Sequence, residues 1–149
     1  VSVTQLSLML FALGGFGLVG TWLMGPLLKH GLYAWLAGIP LAMALIALLL
    51  IVLADAMVPV SVLLALWGLI ATPAPIVWGV WLSKALAENA ETGGGLMVAT
   101  IQLAITAGAG LGGILFDASG WWSPVVLGAG LLLASAGFAL AAQKNRDAV

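Results

Sequence analysis

Cysteine is absent from this chain of 149 residues, and charged side chains make up only 6% of it. Without cysteine there is neither a disulfide framework nor a zinc–thiolate site, and the redox compartment is left open. The net charge of -1 gives no electrostatic footprint for a nucleic-acid partner. No cluster of ligating side chains predicts a metal site, and no motif predicts a cofactor. The sequence therefore does not predict a disulfide-stabilised domain, a zinc–thiolate protein or a nucleic-acid-binding protein.

Apolar residues, by contrast, make up 64% of the chain. An ordinary soluble domain carries roughly 25% charged residues, and four basic with five acidic side chains cannot coat a globule of this size. Most of the surface must face a lipid bilayer. No basic segment precedes a short apolar stretch, so no signal peptide is predicted. The chain begins with Val1, and we expect it to be a piece of something longer or a processed product.

Five long apolar segments are separated by short polar breaks, at about residues 3–28, 33–54, 59–82, 95–116 and 122–142. Each has the roughly 20 residues that an α-helix needs to cross a bilayer. Barrel strands are about ten residues long and alternate in polarity, whereas these runs are continuous. The sequence predicts an all-α membrane protein with five transmembrane helices and a tail at residues 143–149. Tyr33, Trp81 and Trp122 lie at span ends, where aromatic rings suit the membrane interface.

The charged residues all fall in the breaks or in the tail, and the bases decide the orientation. Alternate loops carry every one of them: Lys29, Lys84, Lys144 and Arg146. Because bases collect on the cytoplasmic side, the chain is predicted to start outside and end inside. His30, beside Lys29, is expected to be a solvated loop residue.

The stretch GAGLGG at residues 108–113 matches the glycine pattern of a dinucleotide-binding loop. That loop needs a preceding strand and an acidic residue about 20 positions later, and neither is present. Small residues four apart instead let a second helix approach closely in lipid. We therefore predict helix packing at Ala104, Gly108, Gly112 and Gly113. The first span is consistent with the same role at Gly14, Gly15, Gly17 and Gly20.

Two prolines, Pro73 and Pro75, lie in the middle of the third span. Proline removes a backbone donor and clashes with the preceding turn, so a kink is predicted there. The carbonyls that it frees are tolerated at membrane depth where protein or a water-filled cavity satisfies them.

The segments around these features resemble a known family. QLSLMLFALGGFGLVGTWLMGPLLKHG is similar to the eighth helix of major facilitator superfamily transporters, and ETGGGLMVATIQLAITAGAGLGGILFDASGWWSP to their eleventh helix and the turn into the twelfth. In particular the chain resembles bacterial sugar-efflux and arabinose-efflux permeases of the drug/proton antiporter branch. The resemblance covers nearly the whole chain, as helices eight to twelve of a twelve-helix fold.

This resemblance implies a fragment of an efflux transporter in the bacterial inner membrane, exporting sugars or small drug-like molecules by alternating access. Its partners would be the substrate and the missing N-terminal helices. The loop after the first span departs from the family, because it holds Lys29 and His30 and no acid. No ionisable residue lies inside any span, so proton coupling, which needs a titratable group at membrane depth, must use residues in the missing part.

By resemblance the third span is the tenth helix, which lines the substrate cavity, and Trp67, Thr72 and Trp78 become candidate substrate contacts. Trp67 and Trp78 are eleven residues apart, about three helical turns, and are predicted to share a face. The alternative, that these tryptophans face lipid or pack in the bundle, stays open. In the fourth span Gln102 and Thr106 share a face. An amide at membrane depth needs a partner, so Gln102 either bonds a neighbouring helix or faces the aqueous cavity.

Two other functional classes were weighed against transport. An intramembrane enzyme places His, acids or metal ligands at membrane depth, and the spans offer none, so no enzyme is predicted. A membrane-embedded structural or assembly subunit without transport activity of its own stays open as the alternative. We also expect that this chain alone does not transport.

Overall fold

The computed structural model describes residues 2–147, apart from the side chains of residue 30 and of residues 145–147. Within this part every long element is a helix. In chain order they are α1 (Val3–Leu27), α2 (Leu32–Val52), α3 (Met57–Ala71), α4 (Ala74–Ala85), α5 (Ala90–Ser119) and α6 (Trp122–Asp147). Short 3-10 turns at Leu28–His30 and Ala87–Asn89 join α1 to α2 and α4 to α5. The predicted solvation of the His30 side chain lies outside the described residues.

Five helical stretches in the described part are long and apolar enough to cross a membrane: Val3–Leu27, Leu32–Val52, Met57–Ala85, Ala87–Ser119 and Trp122–Lys144. The predicted all-α fold with five membrane-crossing helices is confirmed. The helix of the fourth predicted span is α5, and it begins at Ala90 rather than at residue 95. The helix continues through Gly93, Gly94 and Gly95. At Gly93 the Leu86 side chain packs so close that a built Cβ would lie 2.9 Å from it.

The third span is broken in its middle, as the prolines predicted. α3 ends at Ala71 and α4 starts at Ala74, with Pro73 fully buried at the break. The amide of Thr72 still donates to the Gly68 carbonyl at 3.2 Å, and the Pro73 carbonyl accepts from Ile76 at 3.0 Å. Because Pro73 has no N–H, the series of backbone hydrogen bonds within the helix is interrupted at Pro73. It ends with the Thr72 amide and resumes with the Pro73 carbonyl.

Glycine brings α1 and α3 into backbone contact. A Cβ built on Gly20 would collide with the carbonyl oxygen of Leu69, and one built on Gly68 would collide with the carbonyl oxygen of Leu13. Gly17 faces the Thr72 side chain, whereas Gly14 and Gly15 have open space where a Cβ would stand. The packing suggested for the first span is therefore found at two of its four glycines, and Gly68 is their reciprocal partner on α3.

The remaining helices assemble around α2. It packs most extensively along α6 and also contacts α3 and α4, while the main contacts of α5 are with α4, α6 and the turn before it. The buried core joins α1, α2 and α4 through Met24, Leu32, Ile39, Ala74 and Val77. In α5, by contrast, none of residues 94–119 is buried. One long helix thus lies at the margin of the bundle with most of its surface uncovered.

The turn between α5 and α6 is held by a buried hydroxyl. Ser123 Oγ donates to the carbonyl oxygens of Leu115 at 2.7 Å and Gly120 at 2.8 Å. Gly120 ends α5 with φ +92, a left-handed conformation that glycine adopts without a steric penalty. These hydrogen bonds tie the start of α6 to the end of α5.

The substitutions Gly20→Ala and Gly68→Ala should each lower the free energy of unfolding by about 1–3 kcal/mol, because the new methyl group meets a carbonyl rather than a flexible side chain. Reversible unfolding by SDS titration in mixed micelles measures this. Gly14→Ala is the matched control, since its Cβ meets nothing within 4 Å. Equal destabilisation by all three changes would contradict the contact as described.

Candidate functional site

Gln102 and Thr106 lie on the uncovered side of α5, near the midpoint of the span Ala87–Ser119. The Thr106 hydroxyl donates to the Gln102 carbonyl at 3.0 Å, so its donor is used within its own helix. The Gln102 side-chain amide makes no hydrogen bond to any residue that the structure describes. A buried amide without a partner is costly in hydrocarbon. The partner of Gln102 must therefore come from outside the described bundle, as water, a ligand or another helix.

Trp78 lies in a different place, a cavity of about 600 Å³ between α2, α4, α5 and α6, here called the aromatic cavity. Trp78 is 40% exposed and shares this lining with other aromatic side chains from three helices: Tyr33, Trp81 and Phe138. Its few polar groups include the Thr100 hydroxyl, which donates to the Leu96 carbonyl at 2.8 Å. Thr100 is two residues from Gln102, about 200° around the helix, so the cavity and the Gln102 face are on opposite sides of α5.

Trp67 lines a third region, a cavity of about 300 Å³ formed by residues of α1, α2, α3 and α6 that include Leu13, Ala47 and Pro124. The prediction that Trp67 and Trp78 share a face assumed one unbroken helix. The two indoles line separate cavities, as residues about 16 Å apart along a helix axis can on one face, and both cavities also include residues of α2 and α6. The shared face stays a prediction. Thr72 itself is exposed at the break, with its hydroxyl against Gly17 of α1.

Of the five predicted contact residues, Trp78 and Trp67 therefore line two different cavities, and Thr72, Gln102 and Thr106 line neither of these. Gln102 and Thr106 stay together on the open face of α5, and the other three lie apart from them and from one another. Sequence reasoning gave Tyr33 and Trp81 an interfacial role and did not associate them with Trp78. The one feature of the sequence that could have indicated a shared cavity is that Tyr33 and Trp81 both lie near the end of a span.

The small residues predicted for helix packing on α5 are also mostly uncovered. Gly108 and Gly113 have nothing within 4 Å of a built Cβ, and Gly112 faces only Pro124 at 3.6 Å. Ala104 lines the aromatic cavity. Only Gly112 of these glycines meets a described helix, at ordinary van der Waals distance, so close packing against this set stays a prediction about a helix outside the described part.

The ends of four helices form one further cavity, of about 530 Å³, here called the lysine cavity. Lys29 and Lys84 both line it, with Tyr33, Trp81 and Gln143. Their common position confirms that these two bases lie on the same side of the bundle, as the alternate-loop pattern predicted. Among the described residues there is no group of His, Cys, Asp and Glu able to hold a metal ion.

Comparison with known proteins gives relatives along most of the chain. A protein of Pseudomonas aeruginosa named transcription regulatory protein OpdE is 45% identical over 132 residues, covering 89% of this chain and 33% of OpdE. Purine ribonucleoside efflux pumps NepI of Salmonella paratyphi B and Salmonella typhimurium are each 40% identical over 134 residues, covering 90% of this chain and 34% of the pump.

The chain thus spans about a third of the length of the curated relatives it matches. No family model matches it, and no solved structure does. Its helices and its similarity to efflux pumps make it a multi-pass membrane protein. What the longer relatives do as whole proteins bears on this chain only by proposal.

Single cysteines test which side of α5 meets water, and the chain offers a native background without cysteine. Gln102→Cys and Thr106→Cys should react with a membrane-impermeant maleimide, because an uncovered amide at this depth needs an aqueous surrounding. Leu103→Cys is the matched control at the same depth, since Leu103 is a 71% exposed apolar side chain about 100° away. Labelling rates are read by mass shift. Equal rates at positions 102 and 103 would contradict an aqueous Gln102 face.

Proposed function

We propose that this chain is the C-terminal part, helices eight to twelve, of a major facilitator superfamily efflux transporter that exports a purine ribonucleoside or a related sugar by alternating access. The observation that carries the proposal is the 40% identity to purine ribonucleoside efflux pumps over 90% of the chain. The five membrane-crossing helices and the uncovered polar face of α5 support it.

A purine ribonucleoside combines a flat base with a ribose, so it has both the sugar and the drug-like character that the sequence resemblance implies. The Gln102 amide offers one acceptor and two donors on a single group. Such an amide pairs with the donor and acceptor edge of a purine, as Asn and Gln do with adenine in DNA recognition. We therefore assign Gln102 and Thr106 to substrate contact, with Thr72 at the helix break as a further candidate.

Alternating access requires two halves that close on each other around a central site. In the proposal, the Gln102 face of α5 borders the N-terminal half, and Gly113 on that side lets a helix of that half approach, while Gly108 and Gly112 lie nearer the face of Ala104. Proton coupling, where it exists, uses titratable groups of the missing helices. The shared position of Lys29 and Lys84 supports a cytoplasmic side at that end and an inner-membrane location.

The name of OpdE indicates transcription regulation, a different class of function. A nucleic-acid-binding surface needs clustered bases, and this chain has four basic residues in total with a net charge of -1. Composition therefore favours the pump over a DNA-binding role. A membrane-embedded assembly subunit without transport is the runner-up, and measured flux distinguishes it.

The product of the complete reading frame that contains these residues should export a labelled purine ribonucleoside from inverted vesicles or cells. Gln102→Leu should weaken apparent substrate affinity by about tenfold, since a lost hydrogen bond of roughly 1.4 kcal/mol corresponds to that factor. Leu103→Ala should leave the affinity within about twofold of the parent. Transport of a labelled pentose instead would move the substrate to the sugar class. No flux of either, with the protein inserted and folded, would favour the assembly subunit.

The 149-residue chain alone, reconstituted in proteoliposomes, should move no substrate above the rate of empty vesicles. The reason is structural, since residues 94–119 contribute nothing buried to the described bundle and the Gln102 face has no opposing wall. Co-reconstitution with the remainder of the reading frame is the positive control. Flux by the chain alone at a comparable rate would overturn this prediction.

A further inference from the structure

The lysine cavity has the composition of an anion site. Lys29 comes from the turn after α1 and Lys84 from the last turn of α4, and both side chains line the same space of about 530 Å³. Gln143 of α6 adds an amide. Two exposed lysines, one in the turn after α1 and one in α4, thus line one volume although 55 positions separate them in the sequence.

No described carboxylate balances this charge. The lining residues that the structure describes include no Asp or Glu, and neither lysine forms an ion pair within the described part of the chain. Glu88 and Glu91, the acids nearest in sequence to Lys84, are exposed and lie outside the lining. Two like charges that share a cavity repel each other, and an anion placed between them relieves that repulsion.

The lysine cavity also adjoins the aromatic cavity. Tyr33 and Trp81 belong to the lining of both. A cationic space at the end of the bundle therefore lies beside an almost wholly apolar space of about 600 Å³ between membrane-crossing helices, and the two share an aromatic wall. A ligand that fills both must be an amphiphile with a negatively charged head and a hydrocarbon tail.

We propose that this pair of cavities binds one anionic phospholipid, with its phosphate between Lys29 and Lys84 and an acyl chain in the aromatic cavity against Trp78. Basic pockets between helices on the cytoplasmic side are where anionic lipid headgroups bind, and the positive-inside pattern predicts that side for both lysines. This site is on the opposite side of α5 from Gln102, so the inference holds whatever the protein exports.

A free phosphate shares the headgroup chemistry but leaves the apolar cavity empty. The two sources therefore differ in one measurable respect, the dependence of binding on the acyl chain. A lipid with long chains should bind much more tightly than its short-chain analogue, and inorganic phosphate more weakly than either.

The experiment uses the complete gene product purified in a neutral detergent, with lipid binding followed by native mass spectrometry and by the shift in thermal unfolding. Phosphatidylglycerol should bind and stabilise, while phosphatidylcholine and inorganic phosphate at the same concentration should not. The double variant Lys29→Gln with Lys84→Gln should bind phosphatidylglycerol roughly 30-fold more weakly, because each lysine contributes about fivefold at an anionic membrane surface.

Lys144→Gln is the matched control. It also removes one positive charge, next to Gln143 at the end of α6, but Lys144 does not line the cavity. The double variant Lys29→Arg with Lys84→Arg keeps the charge and should keep the binding, which separates lost charge from misfolding. The proposal is overturned if the double Gln variant binds phosphatidylglycerol as the parent does, or if Lys144→Gln loses as much. Stabilisation by inorganic phosphate equal to that by the lipid would overturn the lipid assignment as well.

Discussion

Backbone contact between α1 and α3 is the interaction on which the rest of this bundle depends. Inside lipid no hydrophobic drive brings helices together, so close van der Waals approach must do so. Gly20 and Gly68 allow that approach because neither carries the atom that would strike the facing carbonyl. α2 lies against α3 and α6, and the main helix contacts of α5 are with α4 and α6. This arrangement of the helices leaves α5 with most of its surface uncovered.

α5 consequently presents two chemically different sides. One carries Thr100 and Ala104 into the aromatic cavity, and the other carries Gln102 and Thr106 outward. The first is almost wholly apolar and suits a hydrocarbon chain, whereas the second holds an amide without an internal partner. Substrate and lipid are thus assigned to opposite sides of one helix, which keeps the two proposals separable.

Much of the fold follows from composition and the placement of charge. The number and order of the helices, the break at Pro73 and the common side of Lys29 and Lys84 were all predictable, because each rests on a local or additive rule. Gly68 was not, since its role depends on Leu13, a residue 55 positions away. The separate cavities of Trp67 and Trp78 were not predictable either, because residues of other helices form most of their walls. The candidate site residues stay a prediction, and the cavities of Trp67 and Trp78 do not include Gln102 or Thr106.

The break between α3 and α4 has a mechanical consequence. α3 is clamped to α1 through glycine, while α4 carries Lys84, Trp78 and Trp81 and is the half that touches α5. A rod interrupted at its centre transmits bending poorly from one end to the other. The two halves of the third span are therefore held in different ways: α3 by backbone contact with α1, and α4 by the side chains of Ala74 and Val77 in the buried core.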